Sequence, residues 1–183
     1  MRRFARYLTA LSRANALGDR VEWLFYPGML QESRDKWWDD FGRRPCAHEG
    51  MDICFYRTKT KKMKCLSKTA QIPAMDNGVV LNICNDFLGQ SLVVTHGKET
   101  FGSPDAILVY SHLEIQKNIT PGSRIEKDQI IARVFDTSQK QSKLLPHLHI
   151  SCIELIEKTP VDALNWALFA DRGKINLINP VFI

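Results

Sequence analysis

From about residue 45 onward the chain is cut into short β-rich runs, and this punctuation limits the possible folds more than any other feature. The runs are "MDICFY", "NGVVLNIC", "QSLVVTHG", "AILVYSHL", "SRIEKDQIIARVF" and "HLHISCIEL". Turn signals such as "DNG", "HGKETFGSP" and "TPG" separate them. Such spacing predicts a mainly β fold built on an antiparallel sheet. Helices are expected only at the two ends. Phe4, Tyr7, Leu8, Leu11 and Ala14 recur at helical intervals, which predicts an amphipathic helix over 3–17. "SRDKWWDDF" fits a second short helix, with Ser33 as N-cap and Trp37, Trp38 and Phe41 turned inward. "TPVDALNWALFADRG" fits a third, with Gly173 near its C-cap. The expected organisation is a helical N-terminal extension over 1–44 and a β-rich domain over 45–183, with a helical insertion near 160–172.

With 183 residues, 44% of them hydrophobic, one domain with a sizeable core is the default. The net charge of +5 points to an anionic partner, but charge alone does not choose among nucleic acid, a membrane surface and a bacterial cell wall. "RTKTKKMKCLSKT", residues 57–69, carries six Lys or Arg and reads as a solvated loop. The five cysteines are an odd number without the tight spacing of a disulfide scaffold, and free thiols suit a reducing compartment. The opening "MRRFARYLTALSRANAL" is basic but has no apolar run long enough for a signal peptide or a membrane span. The expectation is either a cytoplasmic protein or one whose secretion signal lies upstream of this segment.

Only five histidines are present, and two of them fall in "LLPHLHIS". On a strand, residues two apart share a face, so His147 and His149 project together while Leu148 turns into the opposite layer. A pair of hydrogen-bonded, half-buried histidines would satisfy this pattern. So would a metal site, because neutral imidazole is a common zinc ligand. Two further motifs bear on the choice. "HEGMD" sets His48 and Asp52 four apart across a glycine, and "YSHL" puts His112 at the end of an apolar run. Three nitrogen or oxygen ligands with an open fourth position make a catalytic zinc site, and a spare histidine beside one serves proton transfer.

In these three motifs the chain resembles the lysostaphin-type zinc metallopeptidases, whose signatures are H-x-G-x-D, Y-x-H-L and P-H-L-H. "IPAMDNGVV", "VVTHG", "ITPGSRIEKDQIIARV" and "INPVFI" resemble the family's connecting segments. The resemblance covers roughly residues 45–155 and the last few. It implies an antiparallel β-sheet metallopeptidase domain of the duplicated-hybrid-motif-like kind, holding one zinc ion and cleaving peptide bonds in bacterial peptidoglycan stems or cross-bridges. It implies His48, Asp52 and His149 as the zinc ligands, with His112 and His147 as the catalytic, non-ligand histidines. Which of those two is the principal base stays open. The implied partner is a peptidoglycan peptide, not nucleic acid, and the implied location is the cell envelope, periplasmic or extracellular. Two rival readings remain: a non-catalytic member that binds or regulates a wall hydrolase, and a zinc peptidase acting on some other peptide.

Other residues invite simpler readings. His96 is expected to be structural and Glu49 a surface residue. Cys46, Cys54, Cys84 and Cys152 read as small buried hydrophobes, although Cys46, His48 and Cys54 form an alternative metal set. Trp23, Trp37, Trp38 and Trp166 are expected to staple the terminal helices to the sheet. Where the family runs through a Gly- and Ser/Thr-rich turn, this chain has "SQKQSKLLPHLH", so Leu144 and Leu145 would reshape one wall of the substrate groove.

Overall fold

The structure, a computed structural model, describes residues 2–18, 21–97, 103, 106–140 and 142–183. The expected turn "HGKETFGSP" therefore falls largely outside the described residues. The strands are β1 (Glu22–Leu24), β2 (Met51–Ile53), β3 (Phe55–Arg57), β4 (Met63–Cys65), β5 (Gln71–Pro73), β6 (Gly78–Asn85), β7 (Gln90–Thr95), β8 (Ala106–Ile115), β9 (Arg124–Ile125), β10 (Ile130–Val134), β11 (Leu148–Leu155) and β12 (Ile175–Ile178). The helices are α1 (Arg3–Ala14) and the one-turn α2 (Trp166–Phe169). The molecule is mainly antiparallel β, as its punctuation predicts.

A main sheet runs β12-β11-β8-β7-β6-β9, and every pairing in it is antiparallel. Two strands do double duty. One edge of β11 pairs with β2 over Leu148–Ile150 and with β12 over Cys152–Leu155, while its other edge pairs with β8. In β8, Ala106–Ser111 faces β11, and Leu113–Ile115 faces β10. His112 lies at the exchange of partners. These central strands are buried on both faces, and alternation divides their side chains between two cores. Leu108, Tyr110, Leu148, Ile150 and Cys152 enter the larger one. Ile107, Val109 and Ile153 enter a smaller one with Leu164 and Phe169. Leu148 thus turns away from the histidine face, as expected from its position between them.

Phe4, Tyr7 and Leu11 of α1 bury themselves in the larger core. Full burial of apolar side chains such as Phe4 and Leu11 stabilises by about 1.5–3 kcal/mol each. α1 stops at Ala14, short of the expected end, because Asn15 leaves the helix to exchange two hydrogen bonds with Gln71 of β5, at 2.8 and 2.7 Å. Trp23 donates its indole N–H to Leu8 O and Ser12 Oγ at 3.2 and 3.1 Å, so this tryptophan does staple α1.

The second expected helix does not form. Residues 33–44 instead make an irregular hairpin pinned by a bridge between Asp35 and Arg43. Ser33 Oγ accepts from Asp35 N (3.2 Å) and Asp40 Oδ1 from Gly42 N (3.1 Å), local bonds that compete with a helix. Asp39 and Phe41 take left-handed backbone, at φ 54° and 52°. Trp37 is buried, whereas Phe41 is 70% exposed, not turned inward. The C-terminal helix is also broken. Asn165 accepts from Ala167 N and starts α2 afresh after a 3-10 turn at Val161–Ala163. The basic segment 57–69 is no simple loop, because β4 folds back on β3, which also pairs with β1 in a separate three-stranded sheet. Its lysines nonetheless stay solvated, since Lys59, Lys61, Lys62, Lys64 and Lys68 are all exposed.

Candidate active site

Sheet register brings the first two motifs together. His149 of β11 pairs with Asp52 of β2 on one side and with Ser111 of β8 on the other. Directly opposed residues point to the same face, so Asp52, His149 and Ser111 converge there. Gly50 makes the approach of β2 possible: a Cβ on it would lie 2.3 Å from Ile150 O and 2.7 Å from Ser151 Oγ. His112 reaches the same face by a different device. Its φ of 64° at the exchange of partners turns the ring where an ordinary strand residue would face away. Such backbone costs on the order of 1–3 kcal/mol. Asp86 holds it there, accepting from His112 N at 2.9 Å and sitting 3.1 Å from His112 Nδ1.

His48, Asp52, His112, His147 and His149 are all buried and stand together. His48 Nε2 lies 3.1 Å from His149 Nδ1 and 3.3 Å from Asp52 Oδ1, and His149 Nδ1 lies 2.8 Å from that oxygen. His147 Nε2 is 3.7 Å from Asp52 Oδ1. The His112 ring is 4.8 Å from that of His147 and 5.5 Å from that of His149.

Hydrogen bonds at the far nitrogens decide what the near ones present. His48 Nδ1 faces Leu30 O at 3.1 Å, and a carbonyl only accepts, so that nitrogen carries the proton and Nε2 a lone pair. His149 Nε2 faces Ser151 Oγ (2.8 Å) and Glu49 Oε1 (3.4 Å). With its proton there, Nδ1 also presents a lone pair. Two lone pairs and a carboxylate oxygen then point at one spot with no donor among them. That electron-rich cluster calls for a cation, and among the described residues His48, Asp52 and His149 form the group whose donor atoms could hold a metal ion. The nitrogen and oxygen donors at this spacing fit zinc. The alternative set of Cys46, His48 and Cys54 is not brought together as such a group. Cys54 instead turns its thiol toward Pro146 O at 3.6 Å, and Cys46 is exposed and Cys84 only partly buried, unlike the small buried hydrophobes expected.

Charge and burial set the titration of these groups. Burial would push the Asp52 carboxyl up, but the facing imidazoles outweigh it and hold the acid well below the usual carboxylate range. Burial pulls His149 down, and the Asp52 carboxylate 2.8 Å from its Nδ1 more than reverses this by favouring the charged ring, so its pKa is raised. His147 has no such compensation: burial pushes it down to about 3, with Asp52 only partly offsetting the effect. Its Nδ1 is 2.8 Å from Leu145 O, so the proton sits there and Nε2 faces the group as a lone pair. Asp86 is likewise held below the carboxylate range, burial being outweighed by its bonds to His112 and Gly89.

Several residues around the group carry no motif. Trp37 donates its indole N–H to Asp52 Oδ2 at 2.6 Å, and Arg44 Nη2 is 3.4 Å from the same oxygen. Neither Trp37 nor Trp38 staples a helix. Trp38 instead stacks under the Arg44 guanidinium, 4.5 Å from ring centroid to charge. Trp166 donates to Ser91 Oγ (2.9 Å) and packs on His149. Leu144 joins Trp37 in a small buried cluster, whereas Leu145 is 41% exposed. Glu49 is only partly exposed, its carboxylate turned toward His149 rather than to open solvent. Sequence signals for these partners are faint. Asp86 sits in "NDFLG", a turn in which it caps Leu88 N and Gly89 N, at 2.9 and 2.7 Å, and this turn chemistry is its one legible mark. His96 lies apart from the group, bonded to Asn77 O and Tyr110 Oη at 3.0 Å each. Beside the group opens a cleft of about 730 Å³, whose lining includes Arg34, Cys46, Glu49, Trp166, Phe169 and Arg172.

An antiparallel sheet beside a buried His-Asp-His donor set is the arrangement of a domain that could hold a metal ion. The chain belongs to Peptidase family M23, whose model matches residues 48–163, more than half of its length. No curated protein matches it. Similar solved structures include LytU, 24% identical over 75% of this chain and 81% of that one, at a TM-score of 0.47. The catalytic domain of EnpA, a prophage-encoded M23 protein from Enterococcus faecalis, is 16% identical over 86% and 93%, with a TM-score of 0.47. CbpA from L. salivarius REN is 17% identical over 86% and 84%, with a TM-score of 0.50, and its likeness is one of fold. Among the described residues, no helix is long and apolar enough to cross a membrane.

Proposed function

We propose that this protein is a zinc-dependent endopeptidase that hydrolyses peptide bonds in bacterial peptidoglycan, working in the cell envelope. The observation that carries the reading is the convergence of His48 Nε2, Asp52 Oδ1 and His149 Nδ1, with His112 and His147 beside them. A bound zinc ion supplies Lewis-acid polarisation of a peptide carbonyl and activation of water near neutral pH. His48, Asp52 and His149 would hold it. His147 keeps its proton on Nδ1 against Leu145 O, so Nε2 is free to take a proton from water and return it to the leaving amine. His112, anchored through Nδ1 to Asp86, has its other nitrogen left to orient water or to donate to a developing oxyanion. The net charge of +5 suits an anionic wall.

The test is digestion of purified peptidoglycan of several stem-peptide types, with and without a zinc chelator. New amine termini that vanish with chelator support the reading, and the susceptible wall identifies the bond. Zinc-loaded protein that releases nothing from any wall would refute the peptidoglycan substrate.

A further inference from the structure

The carboxylate of Asp52 divides its work between its two oxygens. Oδ1 faces the imidazoles of His48, His147 and His149. Oδ2 faces away from them, into the hairpin of residues 33–44, where Trp37 and Arg44 meet it. The Trp37 bond is short, 2.6 Å, and wholly buried, and the Trp37 side chain is 3% exposed. A buried indole N–H requires an acceptor, so the ring and the carboxylate hold each other. The same ring stands edge-on to His147, with centroids 5.1 Å apart, and to Phe55 at 5.6 Å. Arg44 is fixed as firmly. Its guanidinium donates to Gly28 O (2.7 Å) and Asp35 O (3.2 Å) and lies on Trp38. Both residues precede the segment matched by the family, which begins at residue 48.

We propose that Trp37 and Arg44 are positioning residues for the metal centre. They occupy Oδ2 of Asp52, so the carboxylate offers a single oxygen, Oδ1, in a fixed direction. In this way the N-terminal segment completes a centre whose donors all come from the family-matched part of the chain. Outer-shell partners of this kind are worth about 10- to 100-fold in metal affinity. The inference rests on His48, Asp52 and His149 holding zinc.

Trp37→Phe tests it, since it keeps an aromatic ring and removes only the N–H donor and part of the ring volume. Zinc affinity of the full chain is read by competition with a chromogenic chelator, and melting of the metal-free protein is followed alongside. The expected result is zinc binding weakened by about 10- to 100-fold in a protein that is still folded without metal. Wild-type affinity in Trp37→Phe would overturn the proposal, whether or not its metal-free melting temperature falls, because a purely structural tryptophan moves only the latter. Should Trp37→Phe fail to fold, Arg44→Met decides: weakened zinc binding in a folded protein supports the proposal, and wild-type affinity overturns it. A wild-type protein that binds no zinc would instead refute the metal centre itself, a result distinct from either.

Discussion

His48 and His149 offer nitrogens to the same spot, yet they are held there in different ways. His149 sits in the middle of a sheet, with Asp52 across one ladder and Ser111 across the other. Its direction follows from register, and changing it would mean slipping three strands at once. His48 lies before β2, in chain without regular structure. Its N–H donates to Ser33 O (2.9 Å), its carbonyl accepts from Glu32 N (2.8 Å), and its ring donates to Leu30 O. All three partners belong to the N-terminal segment. One half of the centre is therefore fixed by the sheet, and the other half by an irregular strap laid against it. The sheet half is the more robust, since it shares the cooperative stability of the core, while the strap depends on a few specific bonds.

Asp52 belongs to both halves, so its loss should have the largest effect. Asp52→Ala should weaken zinc binding by more than about 100-fold, beyond what outer partners alone cost; stoichiometric zinc after desalting would sink its assignment as a ligand. Next comes His147, placed against the metal group but not in it. His147→Ala should keep zinc and lower kcat/KM by about 10²- to 10⁴-fold, the range of general acid–base catalysis. A metal-free variant would make His147 a ligand instead.

Asp86 sharpens the comparison from the sheet side, because it holds the strained turn at His112. Asp86→Asn should cost about 1–3 kcal/mol, as a buried group loses its partner, measured by denaturant midpoint at pH 7. The sign of its pH dependence also follows. A carboxyl whose folded pKa is depressed adds stability above its unfolded value of about 3.9 and loses it as pH falls through the folded value. Wild type should therefore lose more stability than Asp86→Asn between pH 5 and about pH 3; parallel losses would count against the Asp86–His112 pairing. The smallest effect is expected at the tip of the β3–β4 hairpin, residues 59–62, which is exposed. Replacing its exposed Lys59–Lys62 tip with a two-residue turn should change stability by less than about 0.5 kcal/mol, and a larger drop in melting temperature would show the tip bearing on the core.

The same division explains what could be read from the chain. The spacing of His147 and His149 and the apolar run before His112 are strand patterns, and strand patterns dictate which face a side chain takes. Those patterns set His147 and His149 on one face, while the full set of His48, Asp52, His112, His147 and His149 came from the resemblance carried by the three motifs. Leu30 was not legible, because it acts through its backbone carbonyl, which every residue possesses. Trp37 and Arg44 were not, because local bonds at Ser33 and Asp40 replaced the helix that the spacing of "SRDKWWDDF" predicts, and with it the expected direction of each side chain. Nothing in β8 announces that His112 takes left-handed backbone. Its cause is a change of strand partner from β11 to β10, a tertiary event. The same holds for the C-terminal helix, broken where Asn165 caps Ala167.

The glycine of "HEGMD" has a consequence of its own. Its φ is not in the left-handed region, so the backbone makes no demand for glycine there. The demand comes from across the gap, where a single methyl group would sit 2.8 Å from His149 Nε2 and still closer to two oxygens of β11. A chain could keep every imidazole and carboxylate of the motif, exchange this glycine for alanine, and still have the strands that carry Asp52 and His149 wedged apart. In comparing distant chains, or grafting the centre onto another scaffold, the empty space at residue 50 therefore counts as a fourth requirement alongside the three donors. It is the one requirement that carries no chemistry of its own.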